Sequence, residues 1–490
     1  MLRPQTLSDV YGSTCITILL PLTTCPLPPE LSLRNLNKKK TFKKTMKKTF
    51  KIACMLLGLS MSASAQQTWG LQDCIDYALK NNIQIQKNRI SQEKGEVALW
   101  KNKGALFPSL SFSSNQNVGY RPFTQVLSTV QGDQVINTAD NVTYQGSYGL
   151  NASVTLWNGG IDYKNIKDQK IQNEISKLQT EQSELSIQEQ IAQLYVQIMY
   201  TKEALKVNEQ LQKTAQSQYD RGVEMQKQGQ MANADVVQLE AQLSSANYDI
   251  VNSKAQLENY KRQLKALLEL DINSDFDIKG DIPTDDKVLA VIPNKLEAYN
   301  MALTSRPEIK SAELGIESAK MQVDIAKRAH YPTVRASASL GSNHYSGSQN
   351  NWGNQMKNNL NMGAGVTLSL PIFDNRQIAS NIRNAKLQQL NSQLDLQDKK
   401  TTLSNTIEQY WINANNNQQS YLAAKARVKS QEASYELLNE QFLNGLKNTV
   451  DVLQGRDNVI NAEQSMLQSK YNTLLNMQLL KFYTGEKIDL

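Results

Sequence analysis

Histidine is almost missing from these 490 residues: only His330 and His344 occur, one at an expected helix end and one in an expected loop. A histidine-based metal site or catalytic triad has nothing to be built from. No nucleophile–base pair, metal-ligand cluster or phosphate-binding loop takes its place. The sequence therefore reads as that of a protein without enzymatic activity or a cofactor. Cysteine is scarce as well, with four in all. Cys15, Cys25 and Cys54 lie in a leader expected to be lost, which leaves Cys74 alone and excludes an intrachain disulfide. Past the leader no stretch reaches about 18 apolar residues, so no helix is expected to span a membrane. Excess positive charge is also lacking. Residues 1–65 hold 10 Lys/Arg and 2 Asp/Glu, leaving 43 against 44 in the remainder, and the net +7 belongs to the leader. A nucleic-acid partner loses its electrostatic basis.

That leader has the parts of an export signal at residues 46–65. Met46-Lys47-Lys48-Thr49-Phe50-Lys51 is a short cationic region, Ile52 to Met61 is apolar, and Ala63-Ser64-Ala65 is a small-x-small cleavage site. Residues 1–45 fit no part of this scheme and are read as a non-native upstream extension, a genuine extension being the alternative. Cys54 follows Lys51 with no apolar run between them, which argues against lipidation.

The rest of the chain is written twice. At an offset of 224, Ala78-Leu79 matches Ala302-Leu303, Ile85 matches Ile309, and Phe107-Pro108 matches Tyr331-Pro332. At an offset of 216, Leu156-Trp157-Asn158 matches Ile372-Phe373-Asp374, and Asp235-Val236-Val237 matches Asp451-Val452-Leu453. The first repeat is placed at 66–270 and the second at 295–484, with a linker at 271–294 and a tail at 485–490. Each begins with a helical stretch, about 72–106 or 295–330, ended by Pro108 or Pro332.

Period-two alternation follows, which gives a strand one apolar and one wet face. Strands are expected at about 107–122 and 143–157, and again at about 332–345 and 361–373. Tyr148, Leu150, Ala152 and Val154 alternate with Gly149, Asn151, Ser153 and Thr155; Val334, Ala336, Ala338 and Leu340 alternate with Arg335, Ser337 and Ser339. Long loops, about 119–143 and 342–360, join the pairs. Four strands cannot close a barrel, and open edges are not tolerated in hydrocarbon, so further copies must complete it. Two chains would give eight strands, a barrel filled by side chains; three would give twelve and leave a lumen, which the Ser, Gly, Thr and Asn face suits. Trp157, Phe373 and Tyr148 read either as interfacial anchors or as strand-end packing. Long polar helices with coiled-coil-like seams follow, at about 161–218 and 376–440. Six aspartates, Asp271, Asp275, Asp277, Asp281, Asp285 and Asp286, are read as a solvated linker.

The duplicated plan, the junctions Leu156-Trp157-Asn158-Gly159-Gly160 and Ile372-Phe373-Asp374-Asn375, and the turn Asn444-Gly445…Val450-Asp451-Val452-Leu453 resemble the TolC family of outer-membrane efflux proteins. The resemblance covers about residues 70–484. It implies a mainly α protein with transmembrane β-structure: a homotrimer whose shared β-barrel has about 12 strands, four per chain, in outer-membrane lipid. A long α-helical barrel then reaches into the periplasm. The implied partners are a periplasmic adaptor (membrane fusion) protein and an inner-membrane RND or ABC pump.

By the same resemblance the turns near Gly222–Asp235 and Gly445–Asp451 form the periplasmic tip. Gly222, Asp235, Gly445, Val450 and Leu453 are then the residues of the tip and its adaptor dock. Asp451 and Gln454 are the gate, with glutamine where the family often carries a second acid. In a trimer Asp451 recurs around the axis, and such a carboxylate ring favours cations; helix N-terminal stabilisation is the plainer reading. Counted from the glycines, the first turn is seven residues longer than the second. Three functions compete: an exit duct for small molecules, a type I protein-secretion duct, and an exported coiled-coil or adhesin stalk. The stalk calls for an anchor at one end of the chain, whereas the strand pairs lie in the middle of each half.

Overall fold

The computed structural model describes residues 68–489 apart from 121, 124–126, 132–133, 139–141, 281–282, 347 and 349. The expected upstream extension and signal peptide, with Cys15, Cys25 and Cys54, lie outside the described residues. After the short β1 (Thr68–Trp69), the first half runs α1 (Leu71–Asn81), α2 (Ile83–Gly104), β2 (Ser109–Tyr120), β3 (Leu127–Gln131), β4 (Gln134–Thr138), β5 (Val142–Trp157), α3 (Ile161–Lys227) and α4 (Asn233–Leu267). A linker carries β6 (Asp277–Ile278) and α5 (Asp285–Val288). The second half runs α6 (Lys295–Ser305), α7 (Pro307–Arg328), β7 (Thr333–Tyr345), α8 (Trp352–Asn358), β8 (Asn361–Ser369), α9 (Gln377–Leu443) and α10 (Thr449–Tyr483).

Equivalent helices match residue for residue: 11 in α1 and α6, 22 in α2 and α7, 67 in α3 and α9, 35 in α4 and α10. At 1.5 Å per residue the 67-residue helices are about 100 Å long. Each opening stretch, expected as one helix, is two. In the first half the Asn82 carboxamide accepts hydrogen bonds from the amides of Gln84 and Ile85 and so caps α2 afresh. In the second, Pro307 at the start of α7 has no N–H with which to continue α6. The loop expected at 119–143 holds the β3–β4 hairpin, and the one at 342–360 holds α8. His344 belongs to the end of β7 rather than to a loop.

The repeat positions noted in the sequence become a core. Ile85 and Ala78 are buried with Ile187 and Ile191 of α3; Ile309 and Ala302 are buried with the equivalent Leu403 and Ile407 of α9. Cys74 sits in the first cluster at 0% exposure, where burial, aided by the Asp73 charge, pushes its thiol up to about 12 and leaves it unreactive. Of the six linker aspartates Asp271, Asp275 and Asp286 are exposed, as expected, and Asp281 lies outside the described residues, but two are tied down. Asp277 lies 2.6 Å from Lys202 and 3.3 Å from Lys261, and Asp285 accepts from Tyr421 and Lys425.

The main sheet is an antiparallel meander in the order β2-β5-β7-β8. Its register sorts the residues cleanly. Rows such as Phe112–Leu150–Leu340–Met362 and Leu110–Ala152–Ala338–Ala364 form one face; Ser111–Asn151–Ser339–Gly363 and Ser109–Ser153–Ser337–Gly365 form the other. The apolar face is bare: Leu110, Phe112, Met362, Val366 and Leu368 are each about two-thirds or more exposed. Beyond β8 the free edge of β7 is closed by a side chain. The buried Gln355 amide of α8 accepts from Tyr345 N at 3.0 Å and donates to Tyr345 O at 3.2 Å, as a neighbouring strand would. The helices beside the sheet pack in the order α2-α3-α7-α9, the same order as the strands they adjoin.

Candidate functional site

The two turns between the paired long helices have the same length and the same hydrogen bonds. Residues 228–232 separate α3 from α4, and residues 444–448 separate α9 from α10. In the first, Gly229 N donates to Gln226 O and Gln230 N to Met225 O; in the second, Gly445 N donates to Phe442 O and Leu446 N to Gln441 O. Both glycines take a left-handed φ, +73° and +72°, which glycine adopts without a Cβ penalty. The expectation that the first turn is seven residues longer is therefore corrected. Gly229, not Gly222, is the partner of Gly445, at the same offset of 216 as the rest of the half.

Gly222 is buried inside α3, where a Cβ would come within 2.6 Å of Leu239 Cδ1. Across the repeat, Gly455 stands the same way against Leu438, at 2.7 Å. Because 222 corresponds to 438 and 239 to 455, the small and large partners have changed sides between the halves.

Asp451 lies in the first turn of α10, its amide donating to the Asn448 carboxamide at 2.9 Å. Its carboxylate, half-buried, is 3.7 Å from Lys447, a cation that the sequence reading overlooked. Asp235 holds the equivalent position in α4, but Ala232 replaces the capping asparagine. Gln454 is exposed and donates to Asn458 Oδ1. Leu453 is buried and offers no docking surface, whereas Val450 is exposed, as are Leu443 and Leu446 at the same turn. Their equivalents on the first tip are the polar or small Lys227, Gln230 and Ala234, so exposed apolar side chains distinguish the second tip. Leu443 looks like one more seam residue until the helix end is located.

At the other end of α3, Gly159 and Gly160 have φ +69° and +78°, and their equivalents Asn375 and Arg376 have +52° and +66°. The junction is locked by the Arg328 guanidinium, which donates to Gly159 O, and by Tyr331 packed edge-on to Trp157 at 6.1 Å. Trp157 thus has strand-end packing. Phe373 is exposed, and Tyr148 stacks on His344. Among the described residues no group of three or more His, Cys, Asp or Glu could hold a metal ion.

The family model described as outer membrane efflux protein matches residues 74–269 and 298–486. The outer membrane protein TolC of Salmonella enteritidis is 26% identical over 203 residues, 41% of this chain and 40% of that relative's length. The alkaline protease secretion protein AprF of Pseudomonas aeruginosa is 21% identical over 424 residues, 85% of this chain and 84% of AprF. Among solved structures, the CmeC outer membrane channel of Campylobacter jejuni matches at a TM-score of 0.69 and 22% identity, over 86% of this chain and 87% of that one.

Proposed function

Because the chain belongs to the outer membrane efflux protein family, we propose that it is one of three protomers of a passive exit duct for small molecules, a conduit and not an enzyme. A shared barrel of about 12 strands would sit in the outer membrane, and the paired long helices would continue it into the periplasm. The observation that carries this reading is the coincidence of open edges. The sheet ends at β2 and β8, and the adjoining helix layer ends at α2 and α9 on the same two sides. Those helices expose apolar stripes: Ile83, Ile90 and Val97 on α2, and Leu387, Leu390 and Leu394 on α9. Pairing each β2/α2 edge with the β8/α9 edge of the next copy would satisfy backbone and stripe together, and a head-to-tail contact of this kind closes into a ring of three when each copy is turned a third of a circle from the last.

The tips then meet at the axis. Three Asp451 carboxylates would form a cation-favouring constriction, thinned by Gln454 and moderated by Lys447. The exposed Leu443, Leu446 and Val450 suit a periplasmic adaptor, through which an inner-membrane RND or ABC pump would deliver cargo. In detergent, a protein mass of three chains is expected; one chain would overturn the shared barrel. In planar bilayers the protein should conduct and prefer cations, and Asp451→Asn should weaken that preference. Anion preference, or an unchanged ratio in the variant, would overturn the gate.

A second reading, protein export, is favoured by the similarity to AprF along most of both chains. Deleting the gene should raise the intracellular concentration of small toxic solutes if the first reading holds. Loss of a secreted protein from the medium, with unchanged solute tolerance, would favour the second.

A further inference from the structure

The four strands of the main sheet contain a single formally charged residue among those described, Arg335. It stands on the polar face, in the row Thr155–Arg335–Thr367. The next rows on that face offer only Ser, Gly and Asn, so the guanidinium is also the only long side chain there. It is exposed, and no carboxylate lies within ion-pairing distance of it among the described residues. Two residues into β7, it marks the end of the sheet where strands give way to helices.

At this end of the sheet even a lipid-facing charge would cost only about 0–1 kcal/mol, against roughly 2–4 at mid-bilayer, so avoiding lipid does not by itself explain the side it takes. Arg335 faces the other way, paired across the sheet with Thr155 and Thr367, and its exposed side chain belongs to no buried cluster among the described residues. Guanidinium stays protonated at any working pH, is weakly hydrated, and matches a carboxylate or phosphate with two parallel N–H donors.

Building on the duct reading, we propose that Arg335 is an anion-contact residue of the lumen: three copies form a cationic ring at the inner end of the barrel, which transiently engages carboxylate or phosphate groups of anionic solutes. The ring lies at the opposite end of the long helices from Asp451. The duct therefore carries two selectivity elements of opposite sign, one favouring cations at the tip and one favouring anions where the solute enters the barrel.

The test uses purified trimers in planar bilayers under a KCl gradient, with citrate as the anionic probe. In Arg335→Gln the K⁺/Cl⁻ permeability ratio should rise at least about fivefold, since even one unit charge at about 8 Å in water changes the access of each ion roughly 2.4-fold in opposite directions and the variant removes three. Citrate at millimolar concentration should reduce the potassium current of the native channel and lose that effect in the variant. Arg335→Cys should behave like Arg335→Gln and regain the native ratio after reaction with a cationic methanethiosulfonate, which separates lost charge from misfolding; Cys74 is buried and should not react. A conducting Arg335→Gln trimer with the native ratio and native citrate sensitivity overturns the inference and leaves the duct standing. A native protein that never conducts overturns both.

Discussion

The exchanged glycine–leucine pairs show how tightly the hairpin seams are matched. Gly222 leaves room for Leu239 in one half, and Gly455 leaves room for Leu438 in the other. Adding a leucine at 222 would overfill the seam by a side chain, costing about 1–3 kcal/mol. Alanine should cost less, because the obstructing atom is the mobile end of Leu239. Gly222→Leu is expected to lower the melting temperature, and Gly222→Leu/Leu239→Gly to recover most of it by copying the other half. A double variant no more stable than the single would show that the two sites do not share one space. This same residue exposes the limit of reading from sequence. Ile85 and Ile309 could be identified as core because both recur at a fixed offset and are apolar. Gly222 was misplaced because a glycine near a helix end looks like a turn. Only the backbone, with its left-handed φ at Gly229, separates a glycine needed for its conformation from one needed for its size.

Among the elements, the long hairpins are equal in length and turn geometry but not in capping. The Asn448 side chain accepts from the Asp451 amide at the start of α10, whereas the equivalent Asp235 amide of α4 donates to the Ala232 backbone carbonyl at 3.1 Å. Asn448→Ala should destabilise the second tip by about 0.5–2 kcal/mol, and Ala232→Asn should stabilise the first by less, because that amide already has a partner. Amide hydrogen exchange confined to residues near each tip would register both changes, and equal protection before and after would contradict them. Helices and strands were legible from period and repeat, since alternation and seven-residue seams are properties of many residues at once. Breaks depended on single groups and were not. Pro307 was visible in the sequence yet was passed over within a favourable helical stretch, and the Asn82 cap acts through a side-chain hydrogen bond that composition does not reveal. The β3–β4 hairpin and α8 were hidden for the same reason: polar loops carry no periodic signal.

At the scale of the whole molecule, the linker joining the two halves is held by charge. Burial alone would raise the Asp277 carboxyl, but Lys202, with Lys261 behind it, overcomes that and holds it below the usual carboxylate range. Asp285 is held low by hydrogen bonds from Lys425 and Tyr421. Groups whose carboxyls are depressed on folding add stability above the ordinary carboxylate range, and that stability disappears as the pH falls through it. The melting temperature should therefore drop as the pH falls from about 5 to 3. Asp277→Asn should lower it at neutral pH and make the acid fall shallower. An unchanged acid profile in that variant would remove the Lys202–Asp277–Lys261 cluster from the account. The sequence does not show this cluster, because Lys202 comes from α3, far away along the chain, and Lys261 reads as one more exposed charge of α4.

The shared order of strands and helices has a consequence for inheritance. In the proposed ring each protomer would meet its neighbours through one continuous edge on either side, so a chain damaged along β8 or α9 would still offer a sound β2/α2 edge and still be recruited. Where intact and damaged copies are made in equal amounts, only about one three-chain ring in every eight would be built wholly from intact chains. A lesion on a single edge would thus act dominantly, whereas loss of the whole gene would be recessive.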